Sequence, residues 1–176
     1  MSHADQTLVD FAAPDAVSGW IVINDGVMGG VSTSRLIARD GFASFEGIVS
    51  LENNGGFAST RTARSPGQGP SPFPDLSARH IEAFVIEARG DGKRYKLTLR
   101  TDDGFDAIQY QAAFEAPRRW STIRLPTSAF QARFRGRPVP QAPPLDVHRV
   151  RAIGLLISDR QPGPFRLDVR GIRVSP

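Results

Sequence analysis

The sequence predicts an all-β protein folded as a sandwich or a barrel. Glycine and proline account for 17 and 14 of the 176 residues, and both residue types interrupt helices. Hydrophobic residues make up 40% of the chain, which is enough to form a core. Several short segments alternate apolar and polar residues with a period of two, and turn residues separate them. Many short strands with frequent turns are typical of β-sandwiches and β-barrels.

The clearest strand pair is predicted for residues 94–115. Tyr95, Leu97 and Leu99 alternate with polar residues in RYKLTLRT, and DAIQYQAAFE resumes the alternation after the turn sequence DDGFD. An Asp-Gly pair between two alternating segments is the usual signal of a β-hairpin. We therefore expect an antiparallel hairpin with one buried face and one polar face.

Seven further strands are predicted in order along the chain: GWIVIN, FASFEGIVSL, GGFASTR, HIEAFVIEAR, RWSTIRLP, AIGLLISD and FRLDVRGIRV. HIEAFVIEAR and AIGLLISD are apolar on both faces, which is typical of central strands. The alternation in the last run shifts at Gly171, where we expect a β-bulge. Helical signals are confined to PTSAFQARF, for which we expect one or two turns before Gly136.

Two segments rich in proline and glycine, residues 64–77 and 135–146, are expected to be loops. Strands are predicted on both sides of each segment, so we treat them as excursions from one domain that spans residues 1–176. The chain length also suits a single domain with its own core.

The composition excludes several chemistries. The chain has no cysteine, which excludes disulfides, thiolate catalysis and cysteine-bound metals. Because no secretory signal and no apolar run of membrane-spanning length are present, we expect a soluble, cytoplasmic protein. The net charge of +4 comes from arginines scattered among acidic residues, which favours a solvated surface over a nucleic-acid partner.

Catalytic and metal-binding patterns are weak. The histidines His3, His80 and His148 are far apart in the sequence, and no G-x-S-x-G motif is present. The acidic segments TDDGFD and RGDGKRY resemble hairpin turns, a reading that we favour over Ca²⁺ loops. We therefore expect no enzyme activity, no metal and no cofactor.

The segment INDGVMGGVSTS, residues 23–34, has the glycine density of a tight turn or a ligand loop. It is not a P-loop, because no lysine follows the glycines, and no βαβ pattern accompanies it. We interpret it as a turn after the first core strand, with Met28 directed inward. Glycines of this and neighbouring motifs are interpreted as turns and close backbone approaches: Gly26, Gly29, Gly30, Gly55, Gly56 and Gly90.

Five stretches together resemble the complex I intermediate-associated protein 30 family: WIVINDGVMGGVSTSRL, FEGIVSLENNGGFASTR, GDGKRYKLTLRT, LPTSAFQARFRGRP and RAIGLLISDRQPGPFRLDVRGI. The resemblance extends over residues 8–174, and its most specific part is D-G-V-M-G-G-x-S followed by N-N-G-G-F. It implies a jelly-roll β-sandwich of the galactose-binding-domain-like type. Without an organelle presequence, the chain resembles a bacterial member.

Mitochondrial relatives in this family act as assembly chaperones for respiratory complex I. The resemblance therefore implies a non-enzymatic interaction protein with a protein client, such as a respiratory subunit or an assembly intermediate. Sandwiches of this type also bind sugars, so a module for carbohydrate or another small ligand is the alternative.

Polar motif residues without an evident folding role are the candidate binding residues: Asp25, Ser32, Asn54, Arg61, Asp91, Tyr95 and Arg100. Arg100 lies on the polar face of its strand and is a candidate partner for Asp25, either in a ligand clamp or in a structural ion pair. The aromatic residues Phe57, Trp20 and Trp120 are expected in the core rather than on a binding face.

Overall fold

Thirteen β-strands and four short 3₁₀ helices form the described part of the chain, residues 4–63, 73–102 and 107–176 of the computed structural model. The strands are β1 (Gln6–Asp10), β2 (Trp20–Asn24), β3 (Thr33–Ala38), β4 (Ala43–Val49), β5 (Ala58–Thr62), β6 (Ala83–Gly90), β7 (Arg94–Arg100), β8 (Gln109–Glu115), β9 (Ser121–Pro126), β10 (Gln131–Phe134), β11 (Arg137–Pro138), β12 (Ala152–Ile157) and β13 (Gly163–Ser175). The 3₁₀ helices are Asp25–Met28, Glu52–Asn54, Thr127–Ala129 and Val147–Arg149. The expected all-β fold is confirmed.

The first sheet has the strand order β3–β4–β13–β6–β9, and β1 is also paired to β13. Every pair is antiparallel. β4 pairs with the first half of β13, β1 pairs with the second half, and β6 pairs along the other side. The register with β6 shifts between Val169 and Gly171, so the bulge predicted at Gly171 is confirmed.

The second sheet has the strand order β11–β10–β8–β7–β12–β5–β2, again with antiparallel pairs. The predicted pairing of β7 with β8 is confirmed, with Leu97 opposite Ala112. Residues 103–106 of its turn lie outside the described residues. The face expected to be polar is buried at Thr98 and Arg100, which are 5% and 7% exposed. The simple half-buried hairpin is therefore corrected to a strand pair that is buried on both faces at this end.

The core lies between the inner faces of the two sheets. Phe45 and Leu167 from the first sheet and Leu97 and Leu155 from the second have no exposed surface. Phe165 joins the layers, because its ring centroid lies 5.0 Å from that of Phe45 and 6.3 Å from that of Tyr95 in the second sheet. Burying an apolar side chain of this size contributes about 1.5–3 kcal/mol, so this layer is the main source of stability.

Four details differ from the expectations. β1 and β3 are strands for which no strand was expected. The helical expectation for PTSAFQARF is wrong beyond the single turn Thr127–Ala129, because Gln131–Phe134 forms β10 against β8. Within the second proline-rich loop, Arg137–Pro138 forms a short strand, and residues 64–72 of the first loop lie outside the described residues.

Among the described residues, no helix is long and apolar enough to cross a bilayer.

Candidate functional site

A loop between β2 and β3, residues 25–31, is held in place by a buried carboxylate. We call it the anchored loop. Asp25 has no exposed surface and follows directly on β2. Its Oδ1 accepts a hydrogen bond from the backbone N–H of Ser32 at 2.9 Å, and its Oδ2 accepts one from the Ser32 hydroxyl at 2.6 Å. Oδ2 also accepts the backbone N–H groups of Gly56 at 2.7 Å and Phe57 at 3.3 Å. The carboxylate thus connects the β2–β3 loop to the β4–β5 loop.

The charge of Asp25 is stabilised where it is buried. Burial alone raises the pKa of Asp25, but the hydrogen bonds from Ser32, Gly56 and Phe57 outweigh it and lower the pKa below its ordinary value. Gly55 also lies against the carboxylate, since a Cβ there would lie 3.0 Å from the Asp25 Cγ and 2.9 Å from the Glu52 carbonyl oxygen. A side chain at position 55 would overlap with the Asp25 carboxylate, so a glycine is required there.

The outward side of the anchored loop is apolar. Val27, Met28 and Val31 are 67%, 59% and 48% exposed, so the inward direction expected for Met28 is wrong. Gly29 ends the 3₁₀ turn in the left-handed region with a φ of 87°, and its carbonyl accepts a hydrogen bond from Asn53 Nδ2 at 3.1 Å. The backbone of the loop is held by the hydrogen bonds of Asp25 and Asn53. Its apolar side chains therefore face solvent.

Asn54 is the one candidate residue of the neighbouring loop that is exposed. It has a φ of 59° and lies in the 3₁₀ turn Glu52–Asn54, next to the glycines that contact Asp25. Asp25, Ser32 and Asn54 therefore share one end of the sandwich. Of these three, only Asn54 presents its side chain to solvent, while the other two bind each other.

Asp91 and Tyr95 form a second group, at the turn between β6 and β7. Asp91 Oδ2 accepts a hydrogen bond from the Tyr95 hydroxyl at 3.0 Å and another from the backbone N–H of Arg166 at 2.9 Å. Tyr95 is fully buried, and burial together with the Asp91 charge raises the pKa of its hydroxyl. This pair connects the turn to β13 and to the core.

Arg61 and Arg100 lie on the outer face of the second sheet, in β5 and β7. Desolvation lowers the pKa of the half-buried Arg61, and Arg100 Nη2 donates to the Ala107 carbonyl at 3.3 Å. Gly154 lies opposite Arg61 and Thr98 in the sheet. The seven candidates are thus distributed over three places and do not converge on one open site.

The pair proposed between Asp25 and Arg100 is corrected. Both residues are described, and no ion pair joins them, because the oxygens of Asp25 accept from Ser32, Gly56 and Phe57. Within the part of the chain that the structure describes, no three His, Asp or Glu side chains are grouped so that they could hold a metal ion.

The aromatic expectations have mixed outcomes. Trp20 packs against the core, with its ring centroid 5.3 Å from that of Phe11, which confirms the expectation. The core assignment is wrong for Trp120, because the guanidinium carbons of Arg170 and Arg89 lie 4.0 Å and 4.8 Å from its ring centroid. Phe57 is half-buried and takes part through its backbone N–H.

Sequence reasoning did not select Val27 and Val31, which are exposed apolar residues of the anchored loop. A valine between glycines in a turn of polar residues is a local signal for such exposure, because a turn has no inner face of its own. That signal was available in DGVMGGVS.

The fold defines a jelly-roll β-sandwich of the galactose-binding-like class. It is similar to the family 11 carbohydrate-binding module of a Clostridium thermocellum cellulosomal cellulase, with a TM-score of 0.68 and 14% sequence identity over 99% of this chain and 95% of that one. An agarase shares the fold over 98% of this chain and 24% of its own, with a TM-score of 0.59 and 13% identity. At these identities the likeness concerns the fold alone.

The chain belongs to the complex I intermediate-associated protein 30 family, whose model matches residues 9–169. The mitochondrial protein of that name from Drosophila melanogaster is 26% identical over 91% of this chain and 59% of its own length. The Neurospora crassa protein is 22% identical over 91% of this chain and 69% of its own. The chain therefore spans about three fifths of the length of the Drosophila relative.

Proposed function

We propose that this protein is a non-enzymatic assembly factor that holds a protein client through the anchored loop, the client being a respiratory-complex subunit or assembly intermediate. Family membership supports this function. The observation that carries it is the exposure of Val27, Met28 and Val31 on a loop fixed by the buried carboxylate of Asp25.

The loop has the physical properties of a protein-binding surface. Adjacent apolar side chains exposed to water are unfavourable unless a partner covers them, and contiguous patches of this kind mark interaction sites. Met28 adds a flexible and polarisable side chain that adapts to different partner surfaces. Because the backbone is held by hydrogen bonds before a client arrives, less conformational entropy is lost on binding.

The compartment and origin of the chain stay predictions. The relatives from Drosophila and Neurospora are mitochondrial by name, whereas the sequence leads us to propose a bacterial, cytoplasmic protein. The client proposed here is the same in either compartment.

Affinity capture from native cells tests the proposed function. We expect the wild-type chain to recover complex I subunits and a Val27→Ser/Met28→Ser variant to recover at least about tenfold less, because hot-spot side chains contribute 1.4 kcal/mol or more. A Phe134→Ser variant is the matched control, since Phe134 is an exposed apolar residue at the far edge of the second sheet. Failure of the wild type to recover subunits of any respiratory complex would contradict the proposal.

Carbohydrate binding is the second candidate, favoured by one observation on the outer face of the second sheet. Thr98 and Gln111 are opposite each other and are 5% and 7% exposed, and Gln111 Oε1 has no hydrogen-bond partner in the described part of the chain. A buried amide oxygen without a partner is unfavourable, and a ligand hydroxyl group that reached it would satisfy it. Thermal-shift measurements with β-glucan oligosaccharides test it: a stabilisation that Gln111→Ala removes supports this candidate, and no shift contradicts it.

A further inference from the structure

A second surface, on the outer face of the first sheet, combines two clusters of guanidinium groups. The register places Arg35 of β3 opposite Glu46 of β4, and Glu46 opposite Arg166 of β13. In the next row, Asp168 of β13 lies opposite Arg89 of β6. Glu46 thus has an arginine on each neighbouring strand, whereas Asp168 has Arg166 on its own strand and Arg89 on the neighbouring one.

Two guanidinium groups share each carboxylate. Glu46 Oε1 accepts from Arg39 Nη2 at 2.9 Å and lies 3.7 Å from Arg35 Nη2. Asp168 accepts from Arg89 Nε and Arg166 Nε, both at 2.9 Å. One negative charge against two positive charges leaves each cluster with an excess positive charge.

The carboxylates of these clusters lie beneath the guanidinium groups. The side chains of Asp168 and Glu46 are 5% and 19% exposed, whereas those of Arg166 and Arg35 are 47% and 70% exposed. Burial alone raises the pKa of Asp168, but hydrogen bonds from Arg166, Ser44 and Arg89 lower it below its ordinary value, so the carboxylate stays ionised. A partner approaching this face therefore meets mainly positive charge.

A cavity of about 560 Å³ opens on this surface, within the usual size range of ligand pockets. Arg35, Arg166 and Glu46 line it together with the apolar residues Ile48 and Pro164. Ile48 is 54% exposed and pairs in register with Thr33, two residues beyond Val31 of the anchored loop. Thr33, which also lines the cavity, thus places its edge two residues along the chain from the anchored loop.

We propose that this cavity binds an acidic segment of the client protein, with a carboxylate side chain between Arg35 and Arg166 and an aliphatic side chain against Ile48 and Pro164. The inference rests on the proposed function and names the chemistry of the client. Planar guanidinium groups match the geometry of carboxylates, and pairing charges across a partly covered pocket gives orientation and specificity.

A protein segment fits this cavity better than a polyphosphate or a membrane surface. The carboxylates of Glu46 and Asp91 also line the cavity, and they repel closely spaced phosphates. A carboxylate carries a single negative charge where a phosphate group carries up to about two, so Glu46 and Asp91 repel a carboxylate less. The exposed Ile48 also favours a partner that carries apolar side chains beside its acidic ones.

The test uses a dye-labelled peptide in which glutamates alternate with leucines and glycines, and a counterpart with glutamine for each glutamate. We expect fluorescence anisotropy to show binding of the glutamate peptide at least about tenfold tighter than that of the glutamine peptide. Raising NaCl from about 0.02 M to about 0.2 M should weaken the binding, because exposed charge pairs are screened. Equal binding of the two peptides, or no binding of either, overturns the inference.

Variants locate the site and separate this inference from the proposed function. Arg35→Gln and Arg166→Gln should each weaken binding of the glutamate peptide at least about threefold, and Arg137→Gln on β11 is the matched control. If Arg166→Gln does not fold, Arg35→Glu keeps the test open, because Arg35 is 70% exposed and its substitution leaves Asp168 untouched. Unchanged peptide binding in the Arg35 variants overturns the inference.

Two further arms identify the source of the negative charge. Binding to phosphatidylserine vesicles or to a DNA duplex that exceeds binding to the glutamate peptide overturns the choice of partner. If capture of the client is reduced by Val27→Ser/Met28→Ser but unchanged by Arg35→Glu, this inference is contradicted and the proposed function is not.

Discussion

At the scale of single residues, Asp25 links the folding of one loop to the exposure of its neighbours. Its carboxylate accepts hydrogen bonds from Ser32, Gly56 and Phe57. Because these bonds hold the loop, it is ordered although Val27 and Met28 do not pack inward. The polar residues are buried and the apolar residues are exposed, the reverse of the usual arrangement. Such an inversion is typical of a surface kept for a partner.

Replacing Asp25 by asparagine should lower the free energy of unfolding at neutral pH by about 1–3 kcal/mol, because an amide cannot accept all of these hydrogen bonds. The folded pKa of Asp25 lies below its ordinary value, so its contribution is complete above about pH 4 and is lost as the pH falls through the folded pKa. Urea unfolding of the wild type and Asp25→Asn at neutral and acidic pH measures both effects.

Asp40→Asn is the matched control for this measurement, because Asp40 is an exposed aspartate in the turn after β3. Its unfolding curve should follow that of the wild type at every pH. If Asp25→Asn shows the same pH dependence of stability as the wild type, the ionised Asp25 carboxylate does not stabilise the fold as stated.

The roles of these residues could be predicted from the sequence only in part. DGVMGGVS and NNGGF were recognised as functional or structural markers, but the contact between them joins positions 31 and 32 residues apart. No local pattern shows that contact, so the sequence leaves open whether Asp25 and Ser32 bind a partner or stabilise the fold. The inward assignment of Met28 failed for the same reason, since the buried carboxylate already fixes the loop.

At the scale of elements, β13 pairs first with β4 and then with β1, and its register with β6 shifts between Val169 and Gly171. Gly171 lies at the bulge, and a Cβ there would lie 2.8 Å from the Val9 carbonyl oxygen of β1. β1 is thus held at a position where β13 has no side chain. Alternation in the sequence predicted this shift correctly.

Gly171→Ala should loosen β1 and lower stability by about 1–3 kcal/mol, because the added methyl group pushes against a backbone that is already paired. Hydrogen exchange measured by mass spectrometry should show faster exchange in Gln6–Asp10, with little change in β2. Gly19→Ala is the control, since a Cβ at Gly19 meets no atom within 4 Å. Unaltered protection of β1 from hydrogen exchange would show that the close approach of Gly171 to Val9 does not determine how firmly β1 is held.

Strands with strong alternation or with a continuous apolar run were predictable, and those with neither pattern were not. β6, β7 and β12 follow from their own sequences, whereas β3 is recognised only through its pairing with β4. A 3₁₀ turn does form at Thr127–Ala129, but its N-cap residue is Pro126 and no side chain caps it. The backbone then pairs with β8, which outweighs local propensity.

At the scale of the whole molecule, both sheets draw strands from both ends of the sequence. The first sheet contains β1 and β13, and the second contains β2 and β12. Neither sheet can form from one half of the chain. This arrangement supports the single-domain prediction for residues 1–176.

Differential scanning calorimetry should therefore show one transition whose calorimetric and van't Hoff enthalpies agree. The heat-capacity change of unfolding should be about 2 kcal/mol/K, from about 12–15 cal/mol/K for each residue. The two tryptophans report on different sheets, since Trp20 lies in β2 and Trp120 directly precedes β9, and fluorescence should follow the same transition. Two separable transitions would contradict a single domain.

Fold and family could be recognised from the sequence because many residues contribute to each. The surfaces could not, since Arg35 and Glu46 meet Arg166 only after the β3–β4 hairpin is placed beside β13, which is distant in the sequence. An isolated arginine in the sequence is indistinguishable from a solvated one. Scattered arginines therefore suggested an unspecialised surface, and the pairing of strands is what groups them.

The position of β13 along the chain has a consequence for biosynthesis. The ribosome makes the central strand of the first sheet after all the other strands described here, so the β3–β4 hairpin and β6 with β9 emerge before their shared neighbour. Until then these strands expose unpaired edges, and such edges favour aggregation. The nascent chain therefore depends on protection of these edges until β13 is synthesised.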